Sequence, residues 1–209
     1  RLVCPVIPVI VLDRVDHAVP LAEALFSGGV SALELTLRTE VGLESIAAIK
    51  AVFPDQLVGA GTVCNGDQFR EAVERGADFI VSPGATDNLF ATAAQYELPF
   101  LPGAVTGSEV MRALEYGYRT LKFFPAETSG GAAAISALAG PFGDVSFMPT
   151  GGITTDNLAT YLSLKSVTAV GGSWLTPRAL LSEAQWEAVH QLATETVAAC
   201  RALKTEGHL

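Results

Sequence analysis

Short apolar runs alternate with amphipathic stretches along the whole chain. The first run, Pro5-Val6-Ile7-Pro8-Val9-Ile10-Val11, is continuously apolar and rich in β-branched residues. A strand buried on both faces reads this way, without polar alternation. Over residues 13–29, Ala18, Leu21, Ala22, Leu25 and Phe26 recur at helical spacing, and Gly28-Gly29 marks a stop. The pair of signals then repeats. Further strands are predicted over 32–37, 57–62, 79–82, 99–102, 120–124, 145–148 and 167–170. Helices are predicted over 39–53, 67–75, 87–96, 108–116, 132–138, 155–164 and 182–203, the one at 155 capped by Thr154 or Asp156.

Eight buried strands alternating with eight helices call for parallel pairing through right-handed crossovers. Such units close into an α/β fold, the (β/α)8 TIM barrel. A doubly wound open sheet is the rival, but no G-x-G-x-x-G follows the first strand. No linker composition interrupts the chain, so residues 1–209 read as a single domain.

Composition narrows the function classes. Hydrophobic residues make up 49% of the 209 and charged residues 17%, enough apolar material for a core. No apolar run reaches membrane-spanning length and no signal-peptide pattern opens the chain, so no membrane role is expected. The chain begins at Arg1 almost directly in a strand, as though a leading segment were missing. A net charge of −9 without a basic stripe argues against nucleic acid. The three cysteines, Cys4, Cys64 and Cys200, are widely spaced and odd in number, which points to reduced thiols and a cytoplasmic setting. His17, His190 and His208 show no ligand spacing, so a His- or Cys-based metal site is not expected; carboxylate-only binding stays open.

One lysine stands apart. Of the four, Lys50, Lys165 and Lys204 lie in stretches that read as solvated, whereas Lys122 lies inside the apolar run Leu121-Lys122-Phe123-Phe124. An ammonium in apolar surroundings tends to lose its proton, and a neutral amine forms Schiff bases with ketones. The alternative is a lysine that snorkels out or pairs with a buried carboxylate. On the second strand, Leu33, Leu35 and Leu37 fall on one face and Glu34, Thr36 and Arg38 on the other. If the polar face points inward, Glu34 can approach Lys122. It would then shuttle protons, or else form a structural salt bridge. Arg38 suits a substrate carboxylate, or a surface ion pair with Glu40.

Barrel active sites lie at the C-terminal ends of strands. Those ends carry Gly61-Thr62, Ser82-Pro83-Gly84, Pro149-Thr150-Gly151-Gly152 and Gly171-Gly172-Ser173. Paired glycines in the last two loops suit a phosphate held by backbone N–H groups; tight turns without a ligand are the alternative.

The stretches Leu33-Glu34-Leu35-Thr36-Leu37-Arg38-Thr39, Gly59-Ala60-Gly61-Thr62-Val63, Ser82-Pro83-Gly84, Lys122-Phe123-Phe124-Pro125-Ala126-Glu127, Pro149-Thr150-Gly151-Gly152-Ile153 and Gly171-Gly172-Ser173-Trp174 resemble a known family. It is the class I aldolase for 2-keto-3-deoxy-6-phosphogluconate (KDPG), also called 4-hydroxy-2-oxoglutarate (KHG) aldolase. The resemblance spans nearly the whole chain. It implies Lys122 as the Schiff-base lysine and Glu34 as general acid/base. It also implies Arg38 and Thr62 on the pyruvyl carboxylate, with Pro83 and Phe124 lining the pocket. Gly151, Gly152 and Ser173 would hold the phosphate, with Thr150, Gly171 and Gly172 in the same binding loops. No metal or organic cofactor is implied, and the expected assembly is a homotrimer acting on a small phosphorylated keto acid. Two departures stand out: no helix precedes the first strand, and Met148 stands where some relatives carry cysteine. The alternatives are an aldolase for the galactonate epimer, a non-covalent phosphate-binding barrel isomerase or synthase, and a barrel that only binds a phosphorylated ligand.

Overall fold

A computed structural model describes residues 4–205; Arg1, His208 and the side chain of Lys204 fall outside it. Eight strands follow one another as β1 (Val6–Ile10), β2 (Ala32–Thr36), β3 (Leu57–Gly61), β4 (Phe79–Val81), β5 (Phe100–Leu101), β6 (Thr120–Phe123), β7 (Ser146–Pro149) and β8 (Val170–Gly172). All their pairings are parallel. Strands β5-β4-β3-β2-β1-β8 form one curled sheet and β6-β7 a second. Single bridges, Gly103 to Lys122 on one side and Phe147 to Val167 and Thr150 to Gly171 on the other, join the two into a ring. The ring is the expected (β/α)8 barrel.

The helices between the strands are α1 (Ala18–Ser27), α2 (Gly42–Val52), α3 (Gly66–Glu74), α4 (Asp87–Ala93), α5 (Gly107–Glu115), α6 (Gly131–Ala139), α7 (Leu158–Leu162), α8 (Arg178–Ser182) and α9 (Trp186–Thr205). Short 3-10 turns cover Val15–His17 and Glu127–Ser129.

Strand parity sorts the core into two shells. Leu33 and Leu35 of β2, Val6 and Ile10 of β1, and Val58 and Ala60 of β3 face outward into the layer beneath the helices. Ile7, Ala32, Phe79, Val81, Met148 and Ala169 form a separate cluster inside the ring. The interior is packed, not hollow. Gly59 makes room there, since a Cβ on it would meet the Phe79 ring at 2.2 Å.

Three boundaries differ from the sequence reading. The eighth strand, expected over 167–170, lies at Val170–Gly172 because it registers on β1 through Val6↔Val170, Ile7↔Gly171 and Pro8↔Gly172. Gly171 and Gly172 are therefore strand residues rather than loop. The closing helix begins at Trp186, not Ser182; α8 precedes it, too short for a periodic signal. The helix expected from residue 155 starts at Leu158, and neither Thr154 nor Asp156 caps it. Asn157 instead accepts the Thr154 N–H at 2.9 Å and closes the preceding turn.

Lys50 is also not a solvated lysine. Its Nζ donates to Pro54 O at 2.7 Å, Gln56 O at 2.9 Å and Asp78 Oδ2 at 2.8 Å.

Candidate active site

β2 and β6 lie on opposite sides of the ring, and their inward side chains meet across it. Lys122 Nζ donates to Glu34 Oε1 at 3.1 Å, with the two side chains 2% and 0% exposed. The contact depends on a missing side chain: a Cβ on Gly61 would stand 2.2 Å from Glu34 Oε1. The inward face of β2 is thus Glu34 and Thr36, as parity predicts, although the Thr36 hydroxyl is occupied with Ile10 O at 2.8 Å.

Only one oxygen of Glu34 is committed. Oε2 is buried and finds no donor among the described residues. A buried carboxylate oxygen without a partner is uncommon, and in a barrel mouth it is placed to exchange a proton with a ligand. Lys122 Nζ also lies 5.2 Å from the centroid of the Phe124 ring, which walls off that side.

Arg38 sits just beyond β2 on the rim, where its Nε donates to Thr62 Oγ1 at 3.3 Å. It makes no ion pair with Glu40, so the surface-pair alternative drops away. Thr62 has a φ of 60°, a left-handed conformation that is strained for a β-branched residue. Backbone strain of this kind gathers at ligand sites.

Gly151 and Gly152, with φ of 101° and 77°, turn the chain after β7. A Cβ on Gly151 would touch the Phe124 ring at 3.4 Å, so this turn borders the lysine pocket. Thr150 Oγ1 is buried without a partner among the described residues and fills the space left bare at Gly171, where a Cβ would meet it at 2.2 Å. Gly172 lies under the Trp174 ring, whose Nε1 donates to Thr196 Oγ1 at 3.2 Å and so fastens the loop after β8 to α9. Ser173 and Pro83 are exposed on the rim, and no bond ties either to the lysine. The backbone of Pro83 instead packs against Gly103, a Cβ on which would meet Pro83 O at 2.2 Å.

Two residues without an assigned role lie behind the Gly151-Gly152 turn. The Tyr161 hydroxyl, on α7, donates to Glu127 Oε1. Burial first, then the Glu127 hydrogen bond and charge, push the Tyr161 hydroxyl far above its ordinary value, so it remains a donor at working pH. In the sequence Glu127 showed only as the last residue of the lysine motif, and Tyr161 gave no signal.

Among the described residues no group of three His, Cys, Asp or Glu side chains is placed to hold a metal ion, and no helix is long and apolar enough to cross a membrane.

Comparison with known proteins agrees with this geometry. The family model for KDPG and KHG aldolase matches residues 2–192. The chain belongs to that family. It is 50% identical over 198 residues to the 2-dehydro-3-deoxy-phosphogluconate aldolase of Dickeya dadantii, covering 95% of this chain and 93% of that one. It is 49% identical over 193 residues to the KHG/KDPG aldolase of Escherichia coli K12, covering 92% and 91%. Among solved structures, KDPG aldolase from Legionella pneumophila, with pyruvate captured as a covalent carbinolamine, superposes with a TM-score of 0.91 at 43% identity, over 93% of this chain and 95% of that one.

Proposed function

We propose that this member of the KDPG and KHG aldolase family is a class I aldolase-type lyase in which Lys122 forms the Schiff base. Its substrate is KDPG, cleaved to pyruvate and glyceraldehyde 3-phosphate, and it also cleaves KHG to pyruvate and glyoxylate. The observation that carries this reading is the buried contact of Lys122 Nζ with Glu34 Oε1 across the barrel interior.

An amine attacks a ketone only without its proton, and Glu34 is the group in contact to take it. Attack of Lys122 Nζ on C2 gives a carbinolamine. Glu34 then delivers a proton to the departing hydroxyl, water leaves, and an iminium forms. The iminium accepts the electron pair of the C3–C4 bond as it breaks, while Glu34 takes the C4 hydroxyl proton. Glyceraldehyde 3-phosphate departs, the enamine is reprotonated at C3, and water releases pyruvate from Lys122. Because the iminium is the electron sink, no metal or organic cofactor enters these steps.

Arg38 and Thr62 hold the pyruvyl carboxylate, with Phe124 and Pro83 walling the pocket. The turn of Thr150, Gly151 and Gly152 and the end of β8, Gly171, Gly172 and Ser173, receive the phosphate. This placement is supported by the positive φ of both turn glycines and the contact of Gly151 with the Phe124 ring. The eight strands share one interior, which supports a single domain. A homotrimer in the cytoplasm follows from the family resemblance and the odd, widely spaced cysteines.

Borohydride added with pyruvate tests the covalent step. It should inactivate the enzyme and leave the mass of reduced pyruvate on Lys122. Labelling of Lys50, Lys165 or Lys204 instead, or no labelling at all, would overturn the reading.

A further inference from the structure

Glu127 is exposed and enters none of the steps above, yet two loops at the barrel mouth meet at it. Its N–H donates to Gly151 O at 3.1 Å, and the neighbouring Ala126 N–H donates to Thr150 O at 2.8 Å. The turn that follows the lysine strand is thereby bonded alongside the turn that follows β7. A Cβ on Gly152 would lie 2.6 Å from Glu127 Cγ, and one on Gly131 would lie 3.3 Å from both Glu127 Oε1 and the Tyr161 hydroxyl. Two glycine pairs, Gly130-Gly131 and Gly151-Gly152, all have positive φ, and one member of each, Gly131 and Gly152, lies against this side chain.

The carboxylate is itself held from α7. Tyr161, 1% exposed, donates its hydroxyl to Glu127 Oε1. The far end of the same loop is fastened from the N-terminus of α7, where Asn157 Nδ2 donates to Gly152 O at 3.1 Å. A glycine pair left to itself would sample many conformations, and ordering it on each binding event would weaken binding. Here the turn is ordered in advance. The arrangement also deals with a charge conflict. A carboxylate beside a phosphate dianion repels it, and a hydrogen bond from Tyr161 draws the Glu127 charge to the α7 side of the turn.

We propose that Glu127 and Tyr161 are a positioning pair that sets the Gly151-Gly152 turn for the phosphate end of the substrate, and so determines selectivity for phosphorylated over unphosphorylated keto acids. The proposal rests on the assignment of that turn to phosphate. Neither residue touches the reacting carbons, and Lys122 and Glu34 keep their contact without them.

Tyr161→Phe removes the hydroxyl and keeps the ring; Glu127→Met keeps the length of the side chain and removes the acceptor. Steady-state kcat and KM are measured for KDPG and for KHG, with inorganic phosphate as a competitive inhibitor. Ser173→Ala serves as an independent report on the phosphate site. Tyr161→Phe should raise KM for KDPG and Ki for phosphate about fivefold to tenfold, the weight of one hydrogen bond, and change kcat less than about twofold. KM for KHG should stay within about twofold. Glu127→Met loses the same bond and should move the same constants in the same direction, but by less, because it also removes the charge that repels phosphate. The double variant should do no worse than the worse single, because both act through one bond. If either variant failed to fold, the other carries the same comparison.

An equal loss on both substrates, or no change on KDPG, would overturn the pairing. The two assumptions separate through Ser173→Ala. If that variant is selective for KDPG and Tyr161→Phe is not, the phosphate site stands and the pair does not position it. If Ser173→Ala also treats the substrates alike, the phosphate assignment is wrong and the inference falls with it.

Discussion

Gly61 shows how much of the site is made by an absence. Its φ lies outside the left-handed region, so alanine there brings no backbone strain. The added methyl would instead meet Glu34 Oε1 at 2.2 Å, Cγ at 2.6 Å and Cδ at 2.8 Å, all atoms of a side chain able to swing aside. Gly61→Ala should therefore leave the barrel folded and move Glu34 away from Lys122. A proton carrier out of reach costs on the order of 10²–10⁴ in rate, so kcat/KM for KDPG should fall by at least about 10²-fold. The thermal midpoint should change by only a few degrees, about 1 kcal/mol in a chain of this size. A variant that unfolds, or one with full activity, would contradict this account of the Gly61–Glu34 fit. At this scale the sequence was informative where one residue type is decisive. Lys122 was conspicuous as a lysine in an apolar run, and strand parity placed Glu34 correctly. Gly61 was visible, but its purpose was not, because the clash it avoids is with a residue on a neighbouring strand. Glu127 and Tyr161 stand 34 residues apart and meet only once the barrel closes.

Elements are held in register by polar clips at both ends of the barrel. Asp78, just before β4, accepts both Lys50 Nζ and the Val58 N–H at 2.8 Å, linking α2, β3 and β4. The two side chains are 16% and 28% exposed, so removing one leaves the other partly desolvated. Lys50→Met should lower unfolding free energy by about 2–3 kcal/mol in urea titrations and leave kcat/KM of the folded enzyme unchanged. A second clip is the capping box of α5, where the Thr106 hydroxyl accepts the Glu109 N–H and the Glu109 carboxylate accepts the Thr106 N–H. Burial works to raise the Glu109 carboxyl, but bonds from the Val105 N–H and from the Thr106 hydroxyl and N–H bring it below its ordinary value of 4.5. A carboxyl depressed in the folded state stabilises above its unfolded pKa, and that stability is lost as pH falls through the folded value. Glu109→Gln should thus cost stability at pH 7, and the gap to wild type should narrow as pH drops below 4.5. A gap that persists unchanged into acid would refute this. The T-G-S-E run that makes the box is local and could be read from sequence, as could the strands that are apolar runs. The eighth strand was read, but its end was not, because Gly171 and Gly172 carry no hydrophobic signal and are made strand by pairing with β1. α8, of five residues, is shorter than the i, i+3, i+4, i+7 span that reveals a helix, whereas α7 falls inside the helix expected over 155–164.

At the scale of the whole molecule, the ring order decides which part of the substrate each rim residue meets. On the proposed assignment Lys122 on β6 fixes C2, and Arg38 with Thr62 lies beyond β2 and β3, past Glu34. The Gly151-Gly152 turn and Ser173 lie beyond β7 and β8. A substrate bound at C2 would then direct its carboxylate to the first pair of strands and its phosphate to the second. Pyruvate, KHG and KDPG share the carboxylate end, so on the proposed assignment Arg38 would serve all three and Ser173 KDPG alone. Losing a charge-assisted hydrogen bond costs about 1.5–3 kcal/mol, and a neutral one about 1 kcal/mol. Arg38→Ala should lower kcat/KM for KDPG and KHG together by about 10–100-fold and slow borohydride trapping of pyruvate at Lys122. Ser173→Ala should raise KM for KDPG about fivefold, with trapping of pyruvate at Lys122 close to wild type. Arg38→Lys discriminates further, because lysine keeps the charge without the planar fork and should recover only part of the loss. If Arg38→Ala harmed KDPG but spared KHG and pyruvate, Arg38 would be facing the phosphate, and the substrate would lie the other way round in the barrel mouth.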